Sequence, residues 1–456
     1  MGEEQEQKFH QLTEEPVSRV ISHLAVPCII SMLVTAFYNM ADTFFVGMLR
    51  SNAATGAVGV VFSMMAVIQA VGFFFGHGSG NFISRELGRR NTDSASNMAA
   101  TGFFSALFTG LLICVFGEIF LTPLAAFLGS SPTILPYAKD YLRVILIGAP
   151  WMTASLVLNN QLRFQGNAIY GTIGIASGAV LNIGLDPLLI FVFDLGVAGA
   201  AWATILSQGV SALLCLVYML KKFPILRTGR ADWAWHGPMV RRLARMGIPT
   251  ALSNSVTAIG CMILQVTING FGSTVVAAYT AASKVEQLTT QPTFTFGLAA
   301  ATFTAQNAGA GKLDRVKDGV RKATVLNLIA GLAAAVVVWL FAAPITTWFV
   351  DPGETAVIAA SVQFLNIEAV FILALGVLFV YRNALQGLGN AVMPLISGGV
   401  ELAMRLAAAI LLSRFLGYVG VCLANPVAWT GAAVMLVPAY LAELRRQQNN
   451  ALARAR

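Results

Sequence analysis

"RFQGNA", residues 163–168, corresponds to "ALQGLGNA", residues 384–391. The match is one of a series. "LAVP" at 24–27 corresponds to "MGIP" at 246–249, "RELGRRNTD" at 85–93 to "QNAGAGKLD" at 306–314, and "GVAGAAWA" at 196–203 to "GYVGVCLA" at 417–424. The offset is 221 or 222 residues at the start and 221 at the three later matches. Such regularity is the mark of a duplication, so one fold is written twice.

What is duplicated is a set of membrane spans. Hydrophobic residues make up 57% of the 456-residue chain and charged residues 11%. A soluble domain carries roughly 25% charged residues, so this chain lacks the charge to coat a water-facing surface. Crossing a bilayer takes about 20 apolar residues per helix, whereas a β-barrel would show short alternating strands. The apolar runs are long and unalternating, and twelve helical spans are expected: 20–47, 56–83, 98–120, 135–157, 168–193, 196–220, 247–270, 275–303, 324–348, 356–380, 391–412 and 418–442. The fold class is thus all-α integral membrane, in two six-helix repeats.

The organisation follows: an N-terminal segment 1–19, an N-lobe 20–220, a basic linker 221–246, a C-lobe 247–442 and a tail 443–456. Each half has an even number of spans, so both enter from the same side and are parallel repeats. A transported substrate is expected near the midplane between two such halves. The first 18 residues hold five Glu and one Lys, with no apolar stretch, which excludes a cleavable signal peptide there. Cys28, Cys114, Cys215, Cys261 and Cys422 lie singly in spans and read as small apolar side chains, not as a disulfide framework or metal site.

With both ends inside, the cytoplasmic segments hold 23 of the 29 Lys and Arg, and the outer loops only Arg50 and Arg414. Both termini are therefore expected in the cytoplasm. The net charge of +8 is then a topology signal rather than a nucleic-acid footprint, because the basic residues are spread over seven segments on one side.

No Walker A motif is present; "GAGKL" at 309–313 lacks both the five-residue lead and the Ser or Thr after Lys. Energy is expected from an ion gradient, which directs attention to intramembrane charges, each costing at least about 2.5 kcal/mol to bury. Asp42 lies late in span one, Asp186 late in span five, Asn182 one turn before it, and Thr204 about eight residues into span six. All four fall in the outer half of the first repeat. Pro187, directly after Asp186, frees a backbone carbonyl near Ile183 and can bend the helix. Two carboxylates, an amide, a hydroxyl and a freed carbonyl form a set of hard oxygens able to hold a proton or, as a metal site, Na⁺. The bland reading has Asp42 capping a helix end and Asp186 bonding a neighbour opened by Pro187.

At the stated offset the second repeat has lost these groups: Ala403 and Ala407 match Asn182 and Asp186, and Ile263 or Leu264 matches Asp42. Ion coupling is accordingly expected in the first half alone. Glu286 is the other mid-membrane carboxylate, either a cation-attracting wall or a local partner of Lys284. Together with Gln287, Gln265 and Asn254 it forms the candidate substrate-binding set. Glu118, Glu368 and Glu401 read as structural, and His77 as a satisfied packing residue rather than a proton relay.

Two parallel six-span halves, "LQGLGN" at 385–390, "FQGNA" at 164–168 and "AQNAGAGK" at 305–312 resemble the multidrug and toxic compound extrusion (MATE) family over about residues 20–442. Asp42, Asn182, Asp186 and Thr204 match the cation-coupling set of its DinF-like branch. The resemblance implies an antiporter, not an enzyme, exporting cationic amphiphilic drugs against H⁺ or Na⁺. It further implies no other cofactor, small organic cations and the bilayer as partners, a monomer, and a prokaryotic inner membrane. Two rivals share features. A major facilitator transporter has six plus six spans, but its loop signature is only imitated by "GNFISRELGRR", where Ser84 replaces the Asp. A lipid or oligosaccharide flippase of the same superfamily usually has fourteen spans and a cationic cavity.

Overall fold

In hydrocarbon every backbone N–H and C=O must be satisfied within the chain, and a helix does this locally. The computed structural model describes residues 3–49, 51–222 and 237–455. Arg50 and most of the basic linker lie outside them.

The described residues form helices α1 (Glu3–Glu14), α2 (Val17–Gly47), α3 (Asn52–Gly88), α4 (Thr92–Ile119), α5 (Leu121–Phe127), α6 (Leu135–Phe164) and α7 (Ala168–Pro187). A π-helical turn (Leu188–Val192) follows, then α8 (Gly196–Lys222), α9 (Gly237–Asn269), α10 (Ser273–Gly309), α11 (Leu313–Thr346) and α12 (Thr355–Gly387). The chain ends with α13 (Val392–Leu416), α14 (Tyr418–Cys422) and α15 (Ala424–Ala455).

Among the described residues, eleven helices are long and apolar enough to cross a membrane. The twelfth expected span is α10, whose 37 residues are continuous but interrupted chemically by Lys284, Glu286 and the Thr- and Gln-rich run 289–295. Many large apolar side chains face outward, among them Val266 at 71% and Leu340 at 68% exposure. Patches of this kind are a liability in water and the natural surface in lipid.

The chain divides into two compact units, residues 30–251 with the first five, and residues 6–29 with 252–456. Within the first, α6 is the hub, packed on α3, α4, α7 and α8. Within the second, α12 takes the same place, packed on α10, α11, α13 and α15. The core of the first includes Val61, Ile68, Tyr141 and Ile145; that of the second includes Phe303, Val320, Leu378 and Leu436.

Backbone geometry fixes the repeat register more closely than letter matching. Arg90 and Gly311 both end a helix at positive φ, 60° and 75°, and so do Gly196 and Gly417 open one at 54° and 56°; both pairs are 221 apart. The turns after α6 and α12, however, place Gly166 (φ 84°) opposite Gly389 (φ 87°), 223 apart. The two residues inserted before Gly389 carry through the next helix. Buried Gly171, Gly174, Gly178, Asn182 and Asp186 of α7 correspond at this offset to buried Pro394, Ser397, Glu401, Arg405 and Ala409 of α13. This corrects the sequence-derived pairing: the partners of Asn182 and Asp186 are Arg405 and Ala409. Ala403 and Ala407 are exposed on the opposite face.

The N-terminal segment is helical, which its polar composition concealed. Asn307 Nδ2 donates to the Leu12 carbonyl at 3.2 Å, Lys312 Nζ to the Thr13 carbonyl at 3.1 Å, and Arg315 to the Glu15 carbonyl. These are the carbonyls that a helix C-terminus leaves unpaired. The motif around "QNAGAGK" therefore caps α1. Bonded by His10 first and Lys312 second, the exposed Glu14 carboxyl is held below the usual glutamate range.

Candidate functional site

In the first unit, α2, α6, α7 and α8 bring the predicted oxygen set together. Asn182 and Asp186 stand one turn apart on α7, and Asn182 Nδ2 donates to Asp186 Oδ1 across a long 3.4 Å. Both are buried, as is Thr204 on α8; Asp42 on α2 is half-buried. Asp42 and Asp186 lie within electrostatic reach of each other and of Tyr38 and Tyr141, and Thr204 faces the Tyr141 hydroxyl. Asp42 Oδ1, Asn182 Oδ1 and Asp186 Oδ2 are buried with no hydrogen-bond partner among the described residues. Each such group costs about 1–3 kcal/mol. Directly after Pro187 the winding changes from α to π, a device frequent at functional sites.

Three members of this site carried no label in the sequence. Tyr38 is one turn before Asp42 and Gln208 one turn after Thr204, and Gln208 Nε2 donates to the Tyr38 hydroxyl at 3.5 Å. Extending the two helical faces by four residues reaches both. Tyr141, on α6, had no such signal.

A cavity of about 130 Å³ opens beside the cluster, lined by Tyr38, Asn182, Thr204 and Gln208 at one end and by Asn159, Asn160 and Arg163 elsewhere. His77 is buried against the Phe73 and Phe164 rings, at centroid distances of 5.3 and 5.8 Å. It packs as expected, but its Nε2 has no partner among the described residues.

The second unit holds an acid site of its own, which sequence reading did not assemble. Glu286 on α10 and Glu368 on α12 line one small gap; Asn425 Nδ2 donates to Glu368 Oε1 at 2.8 Å, while Glu368 Oε2 has no hydrogen-bond partner among the described residues. Thr289 and Thr290 line the small gap beside the pair, about 10 Å³. Lys284 is exposed and forms no ion pair with Glu286, so the local-pair reading does not describe this residue. Next to the acids, Glu401 joins two arginines: Arg382 donates to its Oε2 at 2.6 Å and Arg405 to its Oε1 at 2.8 Å. Glu401 is structural, as read from sequence. Glu118 meets Arg143 at 3.5 Å.

Gln265 Nε2 donates to Asn269 at 3.0 Å, and Gln287 is exposed. The Asn254 side chain lies outside the described residues.

Two repeated bundles of membrane-length helices, each with buried carboxyl groups, define a membrane-transporter architecture. The family model MatE matches residues 27–188 and again 249–411, and the chain belongs to that family. The multidrug export protein MepA of Staphylococcus aureus strain N315 is 24% identical over 400 residues, covering 87% of this chain and 88% of that protein. MepA of Staphylococcus haemolyticus is 25% identical over 397 residues, covering 87% of each. Among solved structures, a MATE protein in complex with MaL6 superposes with a TM-score of 0.91 at 23% identity, over 97% of this chain and 99% of that one. An outward-facing multidrug resistance MATE transporter of the MOP superfamily gives 0.89 at 25% identity, over 97% and 98%. The family assignment replaces the major facilitator reading.

Proposed function

We propose that the chain is a DinF-like antiporter of a prokaryotic inner membrane that exports cationic amphiphilic compounds in exchange for H⁺, or Na⁺. In this reading both termini are cytoplasmic and the protein acts as a monomer. Asp42, Asn182, Asp186 and Thr204 load the ion. The observation that carries the reading is the convergence of three buried, unpartnered oxygens from α2 and α7. A proton or Na⁺ would satisfy them and remove net negative charge. An organic cation would lose its electrostatic partner on loading, and the difference in affinity shifts the equilibrium between states.

A second reading is favoured by one observation, the Glu286–Glu368 carboxyl pair. Here the second unit binds a proton as well, and Glu286 serves ion binding rather than substrate attraction.

The test is binding of a lipophilic organic cation to detergent-purified protein over pH 5–9, with and without Na⁺. Competition gives weaker binding at low pH or in Na⁺, and the dependence disappears in Asp42→Asn, Asp186→Asn protein. Wild-type affinity flat in both variables would remove the competitive mechanism.

A further inference from the structure

Within the first unit, the end of α3 and the start of α9 meet at bare backbone. A Cβ on Gly78 would come 3.1 Å from the Leu243 carbonyl oxygen, and one on Gly247 would come 2.8 Å from the Phe74 carbonyl oxygen. Glycine permits so close an approach, and the approach sets the basic residues of the two helices side by side. Arg242 lies over the Phe82 ring, its guanidinium carbon 5.9 Å from the centroid. Arg85 NH2 reaches across to Met246 Sδ at 3.6 Å, and a thioether is a weak acceptor. Arg241, Arg242 and Arg245 are exposed and fall within an arc of about 100° around α9.

The chain does not balance this charge. Residues 85–93 and 237–246 hold six arginines, Arg85, Arg89, Arg90, Arg241, Arg242 and Arg245, against two acids, Glu86 and Asp93. Glu86 is committed: Arg89 donates to its Oε1 at 2.7 Å and Asn91 to its Oε2 at 3.0 Å. Arg85, Arg241, Arg242 and Arg245 form no ion pair among the described residues. The linker ahead of α9 adds Arg227 and Arg230 against one acid, Asp232. Nor does the fold require arginine here. At the offset of 221, Arg85, Glu86 and Arg89 correspond to Gln306, Asn307 and Ala310, all uncharged, and Asn307 holds the Leu12 carbonyl of α1.

The surface next to the arginines says what kind of anion fits. Arg241 and Arg245 share a face of α9 with Ile248 and Leu252, at the i, i+4, i+7, i+11 spacing of a helical stripe. Ile248 is 49% exposed and Leu252 47%. Seven residues, about 10 Å of helix rise, separate Arg241 from Ile248. A band of cations is thus followed along the helix by open apolar side chains. A free anion would use the first part alone, whereas a lipid uses both, with its phosphate on the arginines and a chain on the apolar stripe. Stacking on Phe82 leaves the edge N–H groups of Arg242 free for phosphate oxygens, which a guanidinium fork matches.

We propose that Arg85, Arg241, Arg242 and Arg245 bind the phosphate of an anionic phospholipid, one acyl chain of which lies along Ile248 and Leu252. The lipid supplies the countercharge that the chain lacks and joins α3 to α9 where their backbones touch. If both termini are cytoplasmic, as proposed, the site faces the cytoplasmic leaflet, whose anionic headgroups attract juxtamembrane basic residues. No transport step passes through the site, so it stands or falls independently of the ion-coupling reading.

The test is native mass spectrometry of the full chain, delipidated in nonionic detergent and titrated with phosphatidylglycerol or with phosphatidylcholine of the same acyl chains. Each arginine near a membrane surface is worth about fivefold in affinity for anionic lipid. Phosphatidylglycerol should therefore lose about 25-fold in affinity for Arg242→Gln, Arg245→Gln protein, with phosphatidylcholine unchanged. Lys317→Gln, Arg321→Gln protein removes two exposed cations from α11 instead, and should keep the wild-type affinity within about twofold. Soluble glycerol phosphate, which has the headgroup chemistry without the chains, should not displace the lipid. The proposal is overturned by equal binding of the two lipids to wild type, or by an unchanged preference in the α9 variant. An equal loss in the α11 variant would also overturn it, since that marks diffuse surface charge. So would displacement by glycerol phosphate, which marks a site for a free anion.

Discussion

Asn425 donates a 2.8 Å hydrogen bond to Glu368, and at the offset of 221 set by Gly196 and Gly417 it occupies the position of Thr204. The same point on the last helix of each repeat thus serves a buried acid site. In the first repeat a hydroxyl stands beside two carboxyl groups that are both short of partners. In the second an amide donates to one oxygen of a carboxyl group whose other oxygen, Glu368 Oε2, has no partner among the described residues.

Glu368→Gln should be tolerated far better than Glu368→Ala. A glutamine keeps an oxygen for the Asn425 amide, so that bond survives. Alanine strands the buried Asn425 amide, at about 1–3 kcal/mol, and opens space beside Glu286. Thermal unfolding followed by size-exclusion chromatography in detergent measures this. Equal destabilisation by the two substitutions would mean that Asn425 does not depend on Glu368 for its partner.

Glu401→Gln should be among the most damaging single changes in the chain. It leaves Arg382 and Arg405 facing each other with no carboxylate between them, and breaking a buried pair costs about 3–5 kcal/mol. Adding Arg382→Gln to Glu401→Gln should recover part of the loss, because one stranded cation is removed. A double variant no more stable than Glu401→Gln would count against charge as the cause.

How far these sites were legible in the sequence depends on what held each residue in place. Spans were legible because hydrocarbon selects them by composition, and helix ends overran the apolar windows mainly where polar turns continue, as at 304–309 and 381–387. The first-repeat cluster was legible because charges in apolar runs stand out and Asn182 and Asp186 share a helical face. The register of α13 was not. The string "QG" at 165–166 and 386–387 invites an offset of 221, but the chain turns at Gly389, where φ is 87°. The Glu286–Glu368 pair was hidden because its members lie 82 residues apart and no local pattern joins them. Arg163 looked like one more cytoplasmic charge, and only its burial shows that it faces a cavity.

The last prediction separates the two acid sites by flux. In proteoliposomes, an imposed gradient of an organic cation should drive proton or Na⁺ movement through wild-type protein. If the first repeat carries the exchange, Asp186→Asn removes that ion movement, because the amide neither binds a proton nor contributes charge for Na⁺. Asp42→Asn should do the same, since the two carboxyl groups act on each other. Glu286→Gln with Glu368→Gln should leave the ions moved per organic cation unchanged. Glu368 already accepts from Asn425, so replacing acids with amides preserves that contact. The magnitudes are far apart: loss of an obligatory coupling group abolishes driven flux, whereas a conservative change at a bonded carboxyl group alters the rate by a few-fold, about 1 kcal/mol. Drug-driven flux surviving in both Asp variants and lost in the Glu pair would reverse the assignment. Coupling would then lie in the second unit, and the open oxygens of Asp42, Asn182 and Asp186 would need another ligand.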